Sequence, residues 1–206
     1  MKINKEDITV FVIDDEYVIR DSLTLLIEGT GLTVKSFDSA ISFLDQLNTS
    51  IPACIVGDIR MPYMDGLELQ EQLVIKKCDM PIIFMSGHAD ISISATAFRA
   101  GAVDFIEKPF EPKFLLQRLN ECVEKIILDW PETQEKNRLN ECYSHLTPRE
   151  KEVFLLTVNN HSNKQAAKKL GISNRTVDVH RAHTMEKMQA DSLNTLIIMA
   201  VKMGLL

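Results

Sequence analysis

Four short stretches of the 206-residue chain carry side chains that could act together on a charged group: Asp14-Asp15, Asp58, Ser86-Gly87 and Lys108-Pro109. Each follows an apolar run of strand length, ending Val12-Ile13, Ile55-Val56-Gly57, Phe84-Met85 and Phe105-Ile106-Glu107. Taken singly, Asp14 and Asp15 are ordinary loop or helix-capping acids, and Lys108-Pro109 is an ordinary solvated turn. Gathered at one edge of a sheet, three carboxylates repel one another and need a counter-charge. Oxygen ligands suit a hard divalent cation, Mg2+, which keeps several of its waters. A lysine and a hydroxyl opposite complete a place for a tetrahedral phosphoryl group, whose transfer needs mostly positioning and charge neutralisation. An aspartate can itself be the nucleophile and form an aspartyl phosphate.

These residues need a scaffold that brings strand ends together. The apolar pattern predicts strands at Ile8–Ile13, Thr33–Phe37, Ala53–Val56, Pro81–Met85 and Val103–Ile106. Several are continuous rather than alternating, as in a parallel sheet covered on both faces. Between them, Ile19, Leu23, Leu26 and Ile27 line one helical face, as do Ala40, Phe43, Leu44 and Leu47, and later Leu116, Leu119, Val123 and Ile126. Five strands separated by helices predict a doubly wound α/β domain over residues 6–125, with ligands outside the carboxyl ends of the strands. The stretch Asp90–Ala100 carries a thinner stripe (Ile91, Ala95, Phe98), so a thinly buried and movable helix is expected there. Asp129-Trp130-Pro131 should end or kink the last helix. Residues 126–143 read as a helical linker. Beyond them, Thr147-Pro148-Arg149-Glu150 forms a capping box with Pro at the first helical position. Four short helices follow at Pro148–Val158, Asn163–Leu170, Asn174–Met188 and Ser192–Met203, a small all-α unit over residues 144–206.

Composition narrows the classes. The chain is 45% apolar and 25% charged, as in an ordinary soluble globular protein. No run approaches the length of a membrane span. The amino terminus turns acidic where an export signal would be apolar, and the four widely spaced cysteines read as reduced thiols. A cytoplasmic protein with no membrane partner is therefore expected. Residues 1–125 carry a net charge of −8 and residues 144–206 one of +4. Chance imbalance could produce that division, but a basic tail is also what nucleic acid attracts.

Asp14-Asp15, Asp58 followed by Ile59-Arg60-Met61-Pro62, then Met64-Asp65-Gly66, Ser86-Gly87 and Lys108-Pro109 closely resemble a response-regulator receiver domain, a flavodoxin-like fold. The resemblance implies that Asp58 is phosphorylated by a histidine kinase. It implies that Asp14, Asp15, Asp58 and the backbone carbonyl of Arg60 hold Mg2+. Ser86 and Lys108 would bind the phosphoryl group, across a cis Lys108–Pro109 bond, and Phe105 matches the family's aromatic switch position. Without the family, Phe105 is equally a buried strand residue. Gly57 stands where the family has a larger residue, and is expected to loosen the strand end and alter phosphoryl lifetime.

In the tail, Ala167, Gly171, Ile172, Ser173 and Val177 have helix-turn-helix spacing, although an antiparallel helical hairpin would share it. The longer string Leu146-Thr147-Pro148-Arg149-Glu150, Ser162-Asn163-Lys164, Leu170-Gly171-Ile172-Ser173, Thr176-Val177, His180-Arg181 and Met185–Met188 resembles a LuxR-type effector domain, nearest the FixJ subgroup. Asn160 replaces a glycine usual in the family and tolerates the same left-handed backbone. Val177, Thr184 and Met188 should face the core. Asp178, Val179, Ala182 and His183 face outward as candidates for base edges. Lys164, Arg175, Thr176, Arg181 and Lys187 are candidates for phosphates, with an ion pair to Glu150 or Glu152 the alternative for Arg181. The last helix's stripe reads mostly as core, though this helix dimerises in the resembled family.

Together the resemblances imply a two-component transcription regulator and not an enzyme. Phosphorylation would draw Ser86 inward, let Phe105 follow, repack the Asp90–Lys108 face and pair two receivers on promoter DNA. The partners implied are a sensor histidine kinase, double-stranded DNA, RNA polymerase and a second copy of the chain. Two other classes remain open. A phosphatase-like enzyme with an aspartate nucleophile usually has a second acid two residues on, where Arg60 stands. A constitutive dimer that is never phosphorylated would not need the intact acidic set. RNA binding finds no stacking aromatics on the reading helix.

Overall fold

Strands β1 (Thr9–Ile13), β2 (Thr33–Phe37), β3 (Ala53–Asp58), β4 (Ile82–Ser86) and β5 (Asp104–Glu107) pair in parallel in the order β2-β1-β3-β4-β5. The computed structural model describes residues 3–87 and 91–206. It divides into two units, Met1–Pro131 and Glu132–Leu206. In the first, α1 (Tyr17–Glu28), α2 (Ala40–Asp45), α3 (Gly66–Ile75) and α4 (Ile91–Arg99) alternate with the strands, and α5 (Pro112–Ser144) follows β5. Every residue of β1, β3 and β4 is buried, which is why these runs are apolar without alternation. Successive residues still serve opposite faces. Val10, Val12, Cys54, Val56, Ile83 and Met85 pack with Leu23 and Ile27 of α1 and with Leu115, Leu119 and Val123 of α5. Phe11, Ile13, Ile55 and Phe84 pack instead with Phe43 of α2, Leu69 and Leu73 of α3 and Ala97 of α4.

Three expectations are corrected. β3 extends through Gly57 and Asp58, with Gly57 paired to both Ile13 and Phe84. A Cβ at Gly57 would meet nothing nearer than 3.7 Å, so the glycine serves no close approach, and its pairing to both neighbouring strands is kept. Among the described side chains of α4 the buried one is Ala97, while Phe98 stands 47% exposed, so the stripe is turned from the expected one. Asp90, at the start of the expected switching face, and the Ile91 side chain lie outside what is described. Finally, Pro131 does not end α5. Its ring removes one hydrogen bond to the carbonyl four residues back, but Pro131 is exposed, where water can meet that carbonyl.

The second unit holds α6 (Pro148–Val158), α7 (Asn163–Leu170), α8 (Asn174–Met188) and α9 (Leu193–Lys202). Each starts on a hydroxyl cap (Thr147, Ser162, Ser173, Ser192) that accepts from a backbone N–H in the first turn. Gly171 ends α7 in the left-handed conformation (φ 66°), and Asn160 adopts the same region after α6 (φ 60°). Val153, Ala166, Ala167 and Val177 form the contact among α6, α7 and α8. Phe154, Met188, Leu196 and Ala200 form a second cluster with Leu139 and Leu146.

Candidate functional site

The carboxyl ends of β1 and β3 lie side by side because these strands are sheet neighbours, and the connections from them leave in opposite directions, the place where such sheets bind ligands. Asp14 follows β1, and Asp58 is the last residue of β3. Asp14 Oδ1 accepts from the Glu16 backbone N–H at 2.9 Å, and Asp58 Oδ2 from that of Arg60 at 2.7 Å. Each carboxylate therefore turns its other oxygen toward the site. There Lys108 Nζ meets both, at 2.7 Å from Asp14 Oδ2 and 2.6 Å from Asp58 Oδ1. Lys108 arrives from the end of β5, where its backbone N–H donates to the Ser86 carbonyl at 2.7 Å and its bond to Pro109 is cis. Ser86, at the end of β4, is fully buried. Phe105 is half-buried and packs on the α2–α4 side of the sheet.

One ammonium balances two buried carboxylates, so the cluster keeps a net negative charge. Burial pushes the Asp58 carboxyl up, and the Asp14 charge adds to this. The hydrogen bond and charge of Lys108 offset only part of it, leaving the pKa above the ordinary value. Burial opposes the Lys108 ammonium, but the bonds and charges of Asp14 and Asp58 outweigh it and raise its pKa. Asp15 is exposed, one residue beyond Asp14. Among the described residues no three acid, histidine or cysteine side chains gather as a metal group. The donor chemistry nonetheless suits Mg2+, which takes one or two carboxylates plus waters and phosphate oxygens.

Two supporting residues escaped sequence reasoning. Arg20 on α1 donates from Nη1 to the backbone carbonyls of Asp14 (2.7 Å) and Asp15 (3.1 Å), fixing the turn that aims Asp14. Gly66 opens α3 after the Asp65–Glu68 capping box, and a Cβ there would lie 2.7 Å from the Asp58 carbonyl oxygen and 2.9 Å from the Phe84 ring. Its place in Met64-Asp65-Gly66 was the available signal for a close approach.

On α8, Val177, Thr184 and Met188 are buried, as their spacing predicts. Asp178, Val179, Ala182 and His183 are exposed, with Lys164 and Arg175 also in solvent. Thr176 and Ser173 share a hydrogen bond at the start of α8. Arg181 pairs with neither Glu150 nor Glu152; it donates to Asn163 Oδ1 at 3.1 Å. Glu150, buried on α6, is instead bonded by Lys187 at 2.6 Å, and His183 Nδ1 stands 3.7 Å from its other oxygen.

The response regulator receiver domain family matches residues 10–120, and the luxR family of bacterial regulatory proteins matches residues 144–200. The chain is 37% identical to the transcriptional regulatory protein FixJ of Bradyrhizobium diazoefficiens, over 96% of both chains. It is 37% identical to the response regulator protein TodT of Pseudomonas putida, over 91% of this chain and 83% of that one. The chain belongs to the FixJ-like, LuxR-type response regulators. Among solved structures, response regulator StyR is 38% identical with a TM-score of 0.61, covering 95% of this chain and 99% of that one. Full-length FixJ from B. japonicum is 36% identical with a TM-score of 0.55, covering 96% and 98%.

The response regulator thus joins a receiver to a LuxR-type DNA-binding domain, the organisation of a two-component transcription regulator rather than an enzyme. The Asp14–Lys108–Asp58 cluster sits in the receiver, and the exposed face of α8 in the DNA-binding domain. Among its described residues no helix is long and apolar enough to cross a membrane.

Proposed function

We propose that this response regulator accepts a phosphoryl group on Asp58 from a sensor histidine kinase, pairs through its receivers and binds promoter DNA through α8. The observation that carries the reading is the Lys108 ammonium bridging Asp14 and Asp58 at the carboxyl edge of β1 and β3. An Asp58 carboxylate oxygen attacks phosphorus as the bond from phosphorus to the donor histidine nitrogen breaks, and that nitrogen then takes a proton. The Lys108 ammonium, freed from part of its bond to Asp58, faces the new phosphoryl oxygens. Asp14, Asp15, Asp58 and the Arg60 carbonyl would hold Mg2+, which when bound neutralises phosphoryl charge.

Ser86 donates its hydroxyl to a phosphoryl oxygen, and the move is felt on β5, where Phe105 pairs with Phe84 and Glu107 with Ser86. Phe105 and α4 then repack, a population shift of a thinly held element driven by a local charge change. The repacked face pairs two receivers, so that two DNA-binding domains meet two half-sites and recruit RNA polymerase. Asp178, Val179, Ala182 and His183 read base edges. Lys164, Arg175, Thr176 and Arg181 meet phosphates, and Lys187 contributes with a charge already shared with Glu150. The test is labelling by acetyl phosphate with Mg2+, followed by intact-protein mass. Wild type gains one phosphoryl group, and Asp58→Asn gains none. Beryllofluoride should double the mass seen by light scattering and tighten a gel shift; label on Asp58→Asn, or an unchanged mass, would overturn the corresponding step.

A further inference from the structure

Helices α7 and α8 are joined by one side-chain amide. Asn163, the first residue of α7, donates from Nδ2 to Oδ1 of Asp178, and its Oδ1 accepts from Arg181 Nη1. Asp178 and Arg181 stand three residues apart on α8, neighbours on one face, where an acid and a base ordinarily pair with each other. They do not do so: no ion pair engages either among the described residues. The amide stands between them, using one donor and one acceptor. Asp178 is exposed, and Asn163 and Arg181 are half-buried.

The chemistry of a DNA surface makes this spacing consequential. A carboxylate near phosphates is repelled unless it finds a donor, and the donors that base edges offer it in the major groove are amino groups, with that of cytosine its usual partner. Such a residue discriminates mainly by rejecting bases that leave it unpaired. An arginine closed onto that carboxylate would quench it and would also lose its own N–H groups for phosphate. Held apart by the amide, Asp178 keeps Oδ2 for a base and Arg181 keeps donors for the backbone.

We infer that Asn163 is a positioning residue for sequence discrimination, holding Asp178 and Arg181 apart so that the acid meets a base and the guanidinium a phosphate. The inference rests on the reading of α8 as the helix that enters the groove. It is tested with beryllofluoride-treated full-length protein on a duplex pool with a randomised core, sequencing the bound fraction. Wild type, Asn163→Ala, Asn163→Asp, Asp178→Ala and Asn163→Ala/Asp178→Ala are compared. Both Asn163 variants should lose about tenfold in preference at the base pairs that Asp178→Ala relaxes, beside a smaller loss of about threefold on non-specific duplex as Arg181 gives up a phosphate. The double variant should match Asp178→Ala in preference, because Asn163 acts through that residue. Asn163→Asp keeps a good residue at the start of α7 and still accepts from Arg181, but repels Asp178, so it separates positioning from folding. Unchanged preferences, or an equal loss on all sequences in both Asn163 variants, overturn the inference. A wild-type protein that enriches no sequence overturns the DNA reading itself.

Discussion

Asp14 and Asp58 each commit one carboxylate oxygen to the backbone two residues on, so their side chains are aimed before any ligand arrives. Lys108 then holds the two free oxygens together against their mutual repulsion. If that is the lysine's electrostatic role, Lys108→Met should raise the already elevated Asp58 pKa further, since burial and Asp14 are then opposed only by the Arg60 N–H. A carbon-13 carboxyl titration reads this directly, and an unmoved midpoint would sink the account. Gly66 sets the other boundary of the site. Gly66→Ala places a methyl group against the Asp58 carbonyl and the Phe84 ring, neither of which can swing aside. The expected cost is about 1–3 kcal/mol in a urea melt, with slower labelling by acetyl phosphate. A fully stable, normally labelled variant would show that α3 moves freely from β3.

At the scale of elements, one of the ties of α4 is polar. Gln70 on α3 is 3% exposed and donates from Nε2 to the Ala97 carbonyl at 3.2 Å, while its Oε1 has no partner among the described residues. The Ala97 carbonyl also accepts from Ala102, so it would not be orphaned by losing Gln70. Gln70→Met should therefore be neutral or stabilising by up to about 1 kcal/mol, because it removes a buried unmet acceptor at the cost of one hydrogen bond. A urea melt showing a loss larger than that would mean that Gln70 anchors α4. The strands and helix starts were legible because each rests on local signals: a run without alternation, a hydroxyl three residues before a turn's N–H, a glycine at a left-handed corner. The Asp14, Asp58 and Lys108 cluster was legible for the same reason, each residue ending an apolar run. Arg20, Gln70 and Asn163 were not, since each is a single polar residue on a helix whose meaning lies in a partner on another element. The continuation of α5 past Pro131 was hidden too, because local chemistry forbids only one hydrogen bond and exposure decides whether water replaces it.

Across the whole molecule, the two units have separate cores, and one buried carboxylate in each carries an opposite response to acid. Glu150 in the DNA-binding domain is drawn down to about 2 by the Lys187 hydrogen bond, helped by the Thr147 backbone and hydroxyl and opposed by burial. Its contribution is complete above the ordinary value of 4.5 and is lost as pH falls from there toward about 2. Asp58 in the receiver has the reverse sign. Its folded state binds a proton more readily than the unfolded chain, so this group favours folding increasingly as pH falls through its raised value toward 3.8. Acid should thus weaken the second unit's core while relieving a buried charge in the first. Thermal melts followed by NMR at Ile83 of β4 and Val153 of α6 report the two units separately, as one global transition cannot. Glu150→Gln keeps the side-chain bond to the Thr147 N–H but not the charge, and should cost about 1 kcal/mol at pH 7, low for a buried pair because the Lys187 side chain is 36% exposed. That deficit should be largely lost by about pH 2, where wild-type Glu150 is itself about half protonated. Asp58→Asn should raise the Ile83 midpoint at pH 7, with the gain shrinking as pH falls. Differences between wild type and each variant cancel the exposed carboxylates Asp38, Glu121 and Asp191, which are also drawn down. If the Val153 deficit of Glu150→Gln stays constant from pH 7 to 2, the Lys187 pair does not set the acid sensitivity of the DNA-binding domain.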